Sequence, residues 1–320
     1  MIIDNYRKYN THVAHVLYLS LTISVFLIFL WCEISYGDDS LLTGREFLIN
    51  KYHTIEKELE KSSSVVPFYL ESSVSKNASH VDIYGTIEYP YSSVKNELRI
   101  PTSWCDILLL HIHVRACTYE KVNDTWLLTI YNVNTSSDTL EDADQLKFEY
   151  YIIAQQPGFL GIALAAREGP FGTKDHRFRL EAVPLDEGGT FIHLRYSFSY
   201  GFLAYFLMKS YFSLFESDRV GFSIIGADRE GNAVYVSGLR GKVERDVALY
   251  YLCIPAYMDT LNVSVKERFE KRISQWYDLT LQYKKQFFEM EKEDYLTDKR
   301  RDRESQRMLQ GVRESAASIK

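Results

Sequence analysis

The stretch "DIYGTIEYPYSSVKNELRIPTSWCDIL", residues 82–108, carries the pattern that decides the fold. It starts inside an alternating run that predicts a strand ending at Pro90, because proline cannot donate a hydrogen bond to a sheet. Two short helical segments follow, and Pro101 separates them. The predicted order of elements is therefore strand, helix, helix.

Further strands are predicted after these helices, because β-branched and aromatic residues recur in short runs bounded by turn residues. The runs cover residues 111–119, 125–133, 146–154, 160–166, 176–183 and 190–200. In the last of them, Ile192 and Leu194 alternate with His193 and Arg195. The turn "LDEGG", residues 185–189, joins the last two strands as a hairpin. The pattern indicates an antiparallel sheet in an α+β fold.

A helix-length apolar segment, "FSYGFLAYFLMKSYFSLF", follows at residues 198–215 with Lys209 as its one ionisable side chain. It is too short to cross a bilayer, which needs about 20 apolar residues. We expect it to be either a core helix or a lid that touches a membrane. As lid or membrane contacts, the sequence indicates Phe202, Leu203, Phe206, Tyr211 and Leu214.

The C-terminal part of the chain adds a hairpin over residues 220–238 and a helix over 242–261 that contains Pro255. An apolar stripe at helical spacing predicts an amphipathic helix within residues 263–292. Residues 293–320 are charged and poor in large apolar groups, so we expect them to be disordered. The domain predicted from these elements spans residues 81–262, and we expect residues 38–80 to form a helical, serine-rich spacer.

The order strand, two short helices, antiparallel sheet and long late helix resembles the helix-grip fold of the START-like superfamily, which includes lipid-transfer domains and polyketide cyclases. The resemblance covers about residues 81–262 and depends on residues 82–108, the "LDEGG" hairpin and the late helix. It implies a curved antiparallel sheet wrapped around a long C-terminal helix, with an apolar ligand cavity between them. The chain departs from the minimal family by inserting the apolar segment and the second hairpin and by adding a further C-terminal helix.

The N-terminal 37 residues predict a transmembrane anchor or a cleaved signal peptide. Residues 13–32 have no charge, and Arg7 and Lys8 precede them whereas Glu33 and Asp38 follow them. This charge order places the N-terminus in the cytoplasm and the rest of the chain across the membrane. We therefore expect an inner-membrane anchored protein with its domain on the extracytoplasmic side, or a protein secreted to the periplasm.

In an oxidising compartment, Cys105 and Cys117 either form a disulfide or remain two buried thiols. The chain has 37 basic and 43 acidic residues, and the net charge of −6 argues against a nucleic-acid partner.

The inward-facing side chains of the predicted strands are mostly apolar, which favours ligand binding over catalysis. As cavity residues, the alternation indicates Phe148, Tyr150, Ile152, Phe178, Leu180, Ile192, Leu194, Tyr196 and Phe198. At the start of the late helix, Arg240 and Arg245 are interpreted either as parts of a structural ion pair or as contacts to a lipid headgroup.

The histidines offer weak signals for chemistry. His176 and His193 are assigned to the polar, solvent-facing sides of their strands, and His111 and His113 lack an evident third metal ligand. We therefore expect no catalytic residue, no metal and no cofactor. The predicted function is a membrane-tethered or exported module that binds a lipid-like or other hydrophobic ligand. A cyclase or hydrolase on the same cavity, and an envelope scaffold with a protein partner at residues 265–290, remain the alternatives.

Overall fold

The protein is described by a computed structural model over residues 44–62, 64–186, 188–215 and 219–318. The strands are β1 Phe68–Val74, β2 Ala78–Ile87, β3 Val114–Val122, β4 Thr125–Asn132, β5 Asp144–Gln156, β6 Phe159–Glu168, β7 Lys174–Pro184, β8 Thr190–Ser199, β9 Ile224–Ala227 and β10 Ala233–Tyr235. The helices are α1 Arg45–Glu60, α2 Tyr91–Leu98, α3 Ser103–Leu108, α4 Phe202–Phe215, α5 Gly238–Met258, α6 Val265–Leu281, α7 Lys284–Phe287 and α8 Lys292–Ser318. Single 3₁₀ turns occur at Leu140–Asp142 and Pro170–Gly172.

The strands β1 to β8 form one antiparallel sheet in the order β1-β2-β8-β7-β6-β5-β4-β3. The β1–β2 hairpin therefore pairs through β2 with β8, the last strand of this sheet along the chain. The register aligns Ile83 with Leu194, Leu194 with Leu180, and Leu180 with Ile162 across neighbouring strands. These side chains form a buried apolar row on the face that we call the inner face. The α+β fold and the antiparallel sheet were both predicted.

Helix α5 covers the inner face and packs against β1, β2 and β8. It begins four residues before its predicted start, and it accommodates Pro255 in its last turn. At Gly85 of β2, an added Cβ would clash with the hydroxyl group of Tyr251 from this helix. The glycine therefore leaves room for the Tyr251 side chain between helix and strand.

The outer face of the sheet carries α1, which packs against β1, β2, β7 and β8. Leu48 and Ile55 of this helix are buried in a second apolar cluster with Tyr84 and Phe191. The prediction that residues 38–80 form a spacer is corrected here, since α1 and β1 are parts of the folded unit that spans Gly44–Lys320. Helix α1 packs its apolar side chains into the second cluster, and β1 adds side chains to the main core.

The C-terminal helices extend the inner layer. The stripe of α6, which includes Phe269, Ile273 and Trp276, is buried in the main core. Helix α8 packs along β3 at the edge of the sheet, with Tyr295 and Lys299 fully buried. The expectation that residues 293–320 are disordered is wrong for residues 293–318, because they form α8, in which Lys299 and Asp302 are buried and pair with groups of β3.

Two further predictions concern the cysteines and the N-terminal segment. Cys105 of α3 and Cys117 of β3 form a disulfide with Cα atoms 4.9 Å apart, and Cys253 is a buried free thiol. The predicted anchor or signal segment at 13–32 lies outside the described residues. No helix in the described part of the chain is both long and apolar enough to cross a membrane.

Candidate functional site: an apolar cavity with one polar wall

A cavity of about 140 Å³ lies between the inner face of the sheet, α5 and α4. It exists because α5 packs closely against β1, β2 and β8, which leaves space between the helix and strands β4 to β7. Phe148 of β5 and Phe178 of β7 form part of the strand wall, and Val247 of α5 faces them. The lining is predominantly apolar, as in most small-molecule sites.

Of the predicted cavity residues, those that line the cavity are Phe148, Phe178, Tyr196 and Phe198. Leu180, Ile192 and Leu194 are fully buried in the core instead, beside the cavity rather than on its wall. Tyr150 is buried, and its hydroxyl donates to the carbonyl oxygen of Leu98 at 3.2 Å.

The prediction is wrong for Ile152, whose side chain is 44% exposed. The reason is that pairing between β4 and β5 stops at Trp126 and Tyr150, so Ile152 extends beyond the part of β5 that β4 covers.

Helix α4 closes one side of the cavity with Met208 and Phe212. The opposite side of the same helix is solvent-exposed, with Phe202, Leu203 and Phe206 exposed by 77%, 68% and 59%. The helix is therefore neither a fully buried core helix nor a detached one. Among the other predicted lid residues, Tyr211 is half-buried with its ring 6.1 Å from that of Phe171, and the side chain of Leu214 lies outside the description.

His176 lines the cavity, which corrects its assignment to the solvent side. It shares the strand parity of Phe178, so it points to the inner face. Its Nε2 lies 2.9 Å from the hydroxyl of Thr173, and its Nδ1 lies 2.6 Å from the hydroxyl of Tyr196.

The proton positions in this series of hydrogen bonds follow from its last member, in which the Thr173 hydroxyl donates to the carbonyl oxygen of Pro170. The Thr173 oxygen then accepts from Nε2–H, and Tyr196 donates to Nδ1. Burial lowers the pKa of His176 to about 4, which keeps the ring neutral. Both ring nitrogens are used, so His176 anchors the Pro170–Gly172 turn to the sheet rather than serving as a free base.

A polar wall forms the other side of the cavity. Lys242 and Asp246 lie one turn apart on α5, and the Lys242 Nζ is 2.6 Å from each carboxylate oxygen of Asp246. Burial would raise the pKa of Asp246, but Lys242 and His113 outweigh it and hold the pKa below the usual range. His111 completes the wall, with its ring stacked 4.0 Å from that of Tyr250.

His111, His113 and Asp246 place potential metal ligands within 4.8 Å of one another. The existing contacts compete with a metal ion, because Lys242 occupies the Asp246 carboxylate and Glu289 pairs with His113 Nε2 at 3.0 Å. The backbone N–H of His113 also occupies His111 Nδ1. The group is better described as a hydrogen-bonded cluster than as a preformed metal centre.

His193 lies on the outer face as assigned, but it is buried under α1 rather than exposed to solvent, which corrects that expectation. Its Nε2 is 2.7 Å from Asp82 and its Nδ1 is 3.0 Å from Glu181. Burial lowers the pKa of His193, but the two carboxylates outweigh burial and raise it. This cluster is separated from the cavity by the sheet.

The two predicted headgroup contacts are not on the cavity wall. Arg240 pairs with the buried Glu244 at 3.3 Å and donates to the Ser72 hydroxyl at 2.8 Å, so it ties α5 to β1. Arg245 is buried, with 2% of its surface exposed. The structural interpretation of this pair fits the geometry better than the headgroup interpretation.

The sequence reasoning missed the polar wall. Lys242, Asp246 and Tyr250 recur at intervals of four and therefore share one face of α5 with Val243 and Val247. That periodicity could have indicated the polar wall. The position of His111 opposite these residues could not be predicted from periodicity, because His111 lies in a turn far away along the sequence.

No known family profile and no curated protein matches the chain. Similar solved structures include a START superfamily protein from Mycobacterium smegmatis, with 11% identity over 37% of this chain and 75% of that chain and a TM-score of 0.29. The human StarD13 lipid transfer and protein localization domain has 13% identity over 49% and 84% of the two chains, with a TM-score of 0.30. The Zhui aromatase/cyclase from Streptomyces sp. R1128 has 14% identity over 39% and 70%, with a TM-score of 0.30.

These structures belong to the class that the sequence resemblance indicated. Because their TM-scores are low, the architecture of this chain is described by its own strand order and helix packing. They carry no information about its ligand.

Proposed function

We propose that this protein binds a hydrophobic small molecule, or one apolar segment of a lipid, in the cavity beneath α4. The observation that carries the proposal is the cavity itself, which is bounded mainly by aromatic and aliphatic side chains and has Lys242 and Asp246 on its α5 side. A well-packed core contains few voids larger than a water molecule, so an apolar space of this size is itself a functional signal.

The cavity volume limits what fits. A dry apolar cavity of about 150 Å³ is known to hold a single benzene-sized ring. The space of about 140 Å³ here thus suits one ring or a short alkyl segment. A longer lipid chain would enter only if α4 moved away from α5 and the Pro170–Gly172 turn.

The outer side of α4 supports a membrane surface as the source of the ligand. Phe202, Leu203, Phe206 and Leu207 are each more than half exposed, and they lie on the helix that closes the cavity. Exposed apolar patches on one element mark interaction sites, and a bilayer interface stabilises aromatic and aliphatic groups together. The helix is therefore proposed to act as a lid that docks on lipid.

The proposal includes a domain that lies outside the inner membrane, either anchored or secreted to the periplasm. The charge order around residues 13–32 supports it. The disulfide between Cys105 and Cys117 also supports it, because such bonds persist in oxidising compartments. A reporter that is active only outside the cytoplasm, fused after Lys320, should be active; activity of a cytoplasm-specific reporter would contradict this part.

The test of ligand binding is native mass spectrometry of the full-length chain purified from membranes, with extraction of the bound small molecules. A co-purifying apolar ligand should disappear in Val243→Phe, which fills the cavity, and persist in Val234→Phe on the exposed β9–β10 hairpin. A ligand retained equally by both variants would place its binding site elsewhere.

A second candidate is an enzyme of the cyclase or hydrolase kind. The observation in its favour is that His111, Lys242 and Asp246 face the cavity, where the sequence predicted mostly apolar side chains. An envelope scaffold acting through residues 265–290 has less support, because the apolar stripe expected to bind a partner is buried against the rest of the chain.

A further inference from the structure

The polar wall of the cavity contains a side-chain nitrogen that is buried and unsatisfied. His111 is 1% exposed and lines the cavity, and its Nε2 has no hydrogen-bond partner among the described residues. Buried polar groups in native proteins are almost always paired, so each exception calls for an explanation. A ligand in the cavity would supply the partner.

The protonation of this nitrogen follows from its neighbours. The backbone N–H of His113 donates to His111 Nδ1 at 3.1 Å, so Nδ1 holds a lone pair and no proton. A neutral imidazole carries its single proton on the other nitrogen. Burial lowers the pKa of His111 well below the usual value, which keeps the ring neutral. His111 therefore presents a donor, Nε2–H, to the cavity.

The surrounding charges indicate which acceptor fits this donor. Lys242 is a cation on the same wall, and Asp246 already balances its charge through both carboxylate oxygens. A second carboxylate would add an unbalanced negative charge next to Asp246 in a buried site, which is unfavourable. A neutral carbonyl or hydroxyl oxygen accepts the hydrogen bond without that cost.

We propose that His111 Nε2–H donates a hydrogen bond to a neutral carbonyl or hydroxyl oxygen of the ligand, and that His111 is therefore a specificity-determining residue. The inference rests on the proposed function, since it assumes that the cavity is the binding site. It goes further by giving the ligand an apolar body with one oxygen acceptor at the end that reaches this wall.

The test compares two nearly isosteric probes, acetophenone and α-methylstyrene, which differ in a C=O against a C=CH₂ group. Both are titrated into the full-length chain and into His111→Phe, which keeps a ring that can stack on Tyr250 but lacks the donor. The ratio of the two dissociation constants should favour acetophenone by roughly fivefold more in the wild type than in the variant. If detergent keeps the full-length chain in solution, it takes up each probe equally in both titrations, so this uptake cancels when the two ratios are compared.

The outcomes separate the inference from the function on which it depends. If neither probe binds the wild type, the proposed function and the inference both fail. If both probes bind the wild type and the variant with the same ratio, the cavity binds ligands but the role of His111 is wrong.

A second measurement covers the case in which His111→Phe does not fold. In the wild type labelled with ¹⁵N-histidine, one ring should show a protonated Nε2 and an unprotonated Nδ1, and acetophenone but not α-methylstyrene should shift the Nε2–H signal. An unprotonated Nε2, or one stoichiometric zinc ion in the purified protein, would overturn the inference, because a metal needs the lone pair that the donor lacks.

Discussion

Helices α4 and α8 both differ from the burial that their composition suggests, and they do so in opposite directions. Helix α4 is apolar along nearly its whole length, yet Phe202 and Phe206 are more than half exposed. Helix α8 is dominated by charged residues, yet Lys299 and Asp302 are buried at 0% and 2% exposure. Composition therefore does not decide burial here. What decides it is whether a specific partner exists on the facing surface.

The buried charges of α8 have such partners. Lys299 donates to the carbonyl oxygen of Val114 at 2.6 Å and to Asp302 at 3.0 Å, and Arg115 of β3 lies 3.3 Å from the same carboxylate. Burial lowers the pKa of Lys299 more than the Asp302 carboxylate raises it. The Asp302 carboxylate thus pairs with two buried cations, and these ion pairs hold α8 against the edge of the sheet.

The largest expected effect comes from removing that carboxylate. Asp302→Asn leaves Lys299 and Arg115 buried without an anion, which should lower the free energy of unfolding by about 3–5 kcal/mol. Asp298→Asn on the same helix removes only a surface pair with Arg301 and should change it by less than about 0.5 kcal/mol. Urea denaturation measures both. Equal effects would show that α8 is not held by buried charge.

A second group of buried charges, around His193 on the outer face of the sheet, extends the comparison. His193→Gln removes the cation that Asp82 and Glu181 share, although Arg195 and Arg179 stay paired with them, and should cost about 2–3 kcal/mol at pH 6. Because the pKa of His193 is raised in the folded state, its contribution is complete below about pH 6.5 and is lost as the pH rises through the folded pKa. The difference between wild type and variant should therefore shrink on going from pH 6 to pH 9. A difference that does not change with pH would mean that His193 is neutral.

The inner side of α4 should behave as core. Met208→Ala removes a side chain that is 3% exposed and should lower the free energy of unfolding by about 2 kcal/mol, the low end of the range because a cavity already adjoins it. Leu207→Ala, next to it on the exposed side, should cost less than about 0.5 kcal/mol. Thermal denaturation of the two variants gives the contrast, and similar losses would mean that both sides are packed.

A smaller effect is expected where α8 covers the edge strand β3. The side-chain oxygens of Gln306 and Gln310 accept from the backbone N–H groups of Cys117 and Tyr119 at 2.7 and 2.9 Å. Each glutamine to alanine change should cost about 1 kcal/mol, and the double variant should expose an edge that pairs with other chains. Light scattering at increasing protein concentration measures that association. A double variant that stays monomeric would indicate that the bulk of α8 alone protects the edge.

Much of the fold could be predicted, because strand periodicity and turn residues act locally. The strand, helix, helix order of residues 82–108 and the six later strands lie near their predicted positions. The packing of α1 and α8 could not be predicted in this way, since their few apolar or paired residues are meaningful only against the surface that they cover. Leu48 and Asp302 are examples.

The candidate site was only partly predictable for the same reason. Phe178 and Tyr196 follow from strand alternation, and the same alternation, applied consistently, would have placed His176 inward. The polar wall required His111 to meet Lys242 and Asp246, more than a hundred residues away in sequence. No short motif encodes such a contact.

The most direct test of the account uses the exposed side of α4, where the smallest effect on stability should accompany a large effect on function. Phe206→Ser should leave the free energy of unfolding within about 0.5 kcal/mol of the wild type, because the side chain is 59% exposed. If α4 is a lid that docks on lipid, the same change should abolish the transfer of a fluorescent fatty acid between phosphatidylcholine vesicles by the full-length chain. Transfer at the wild-type rate by a stable Phe206→Ser protein, and likewise by Phe202→Ser and Leu203→Ser, would contradict the account.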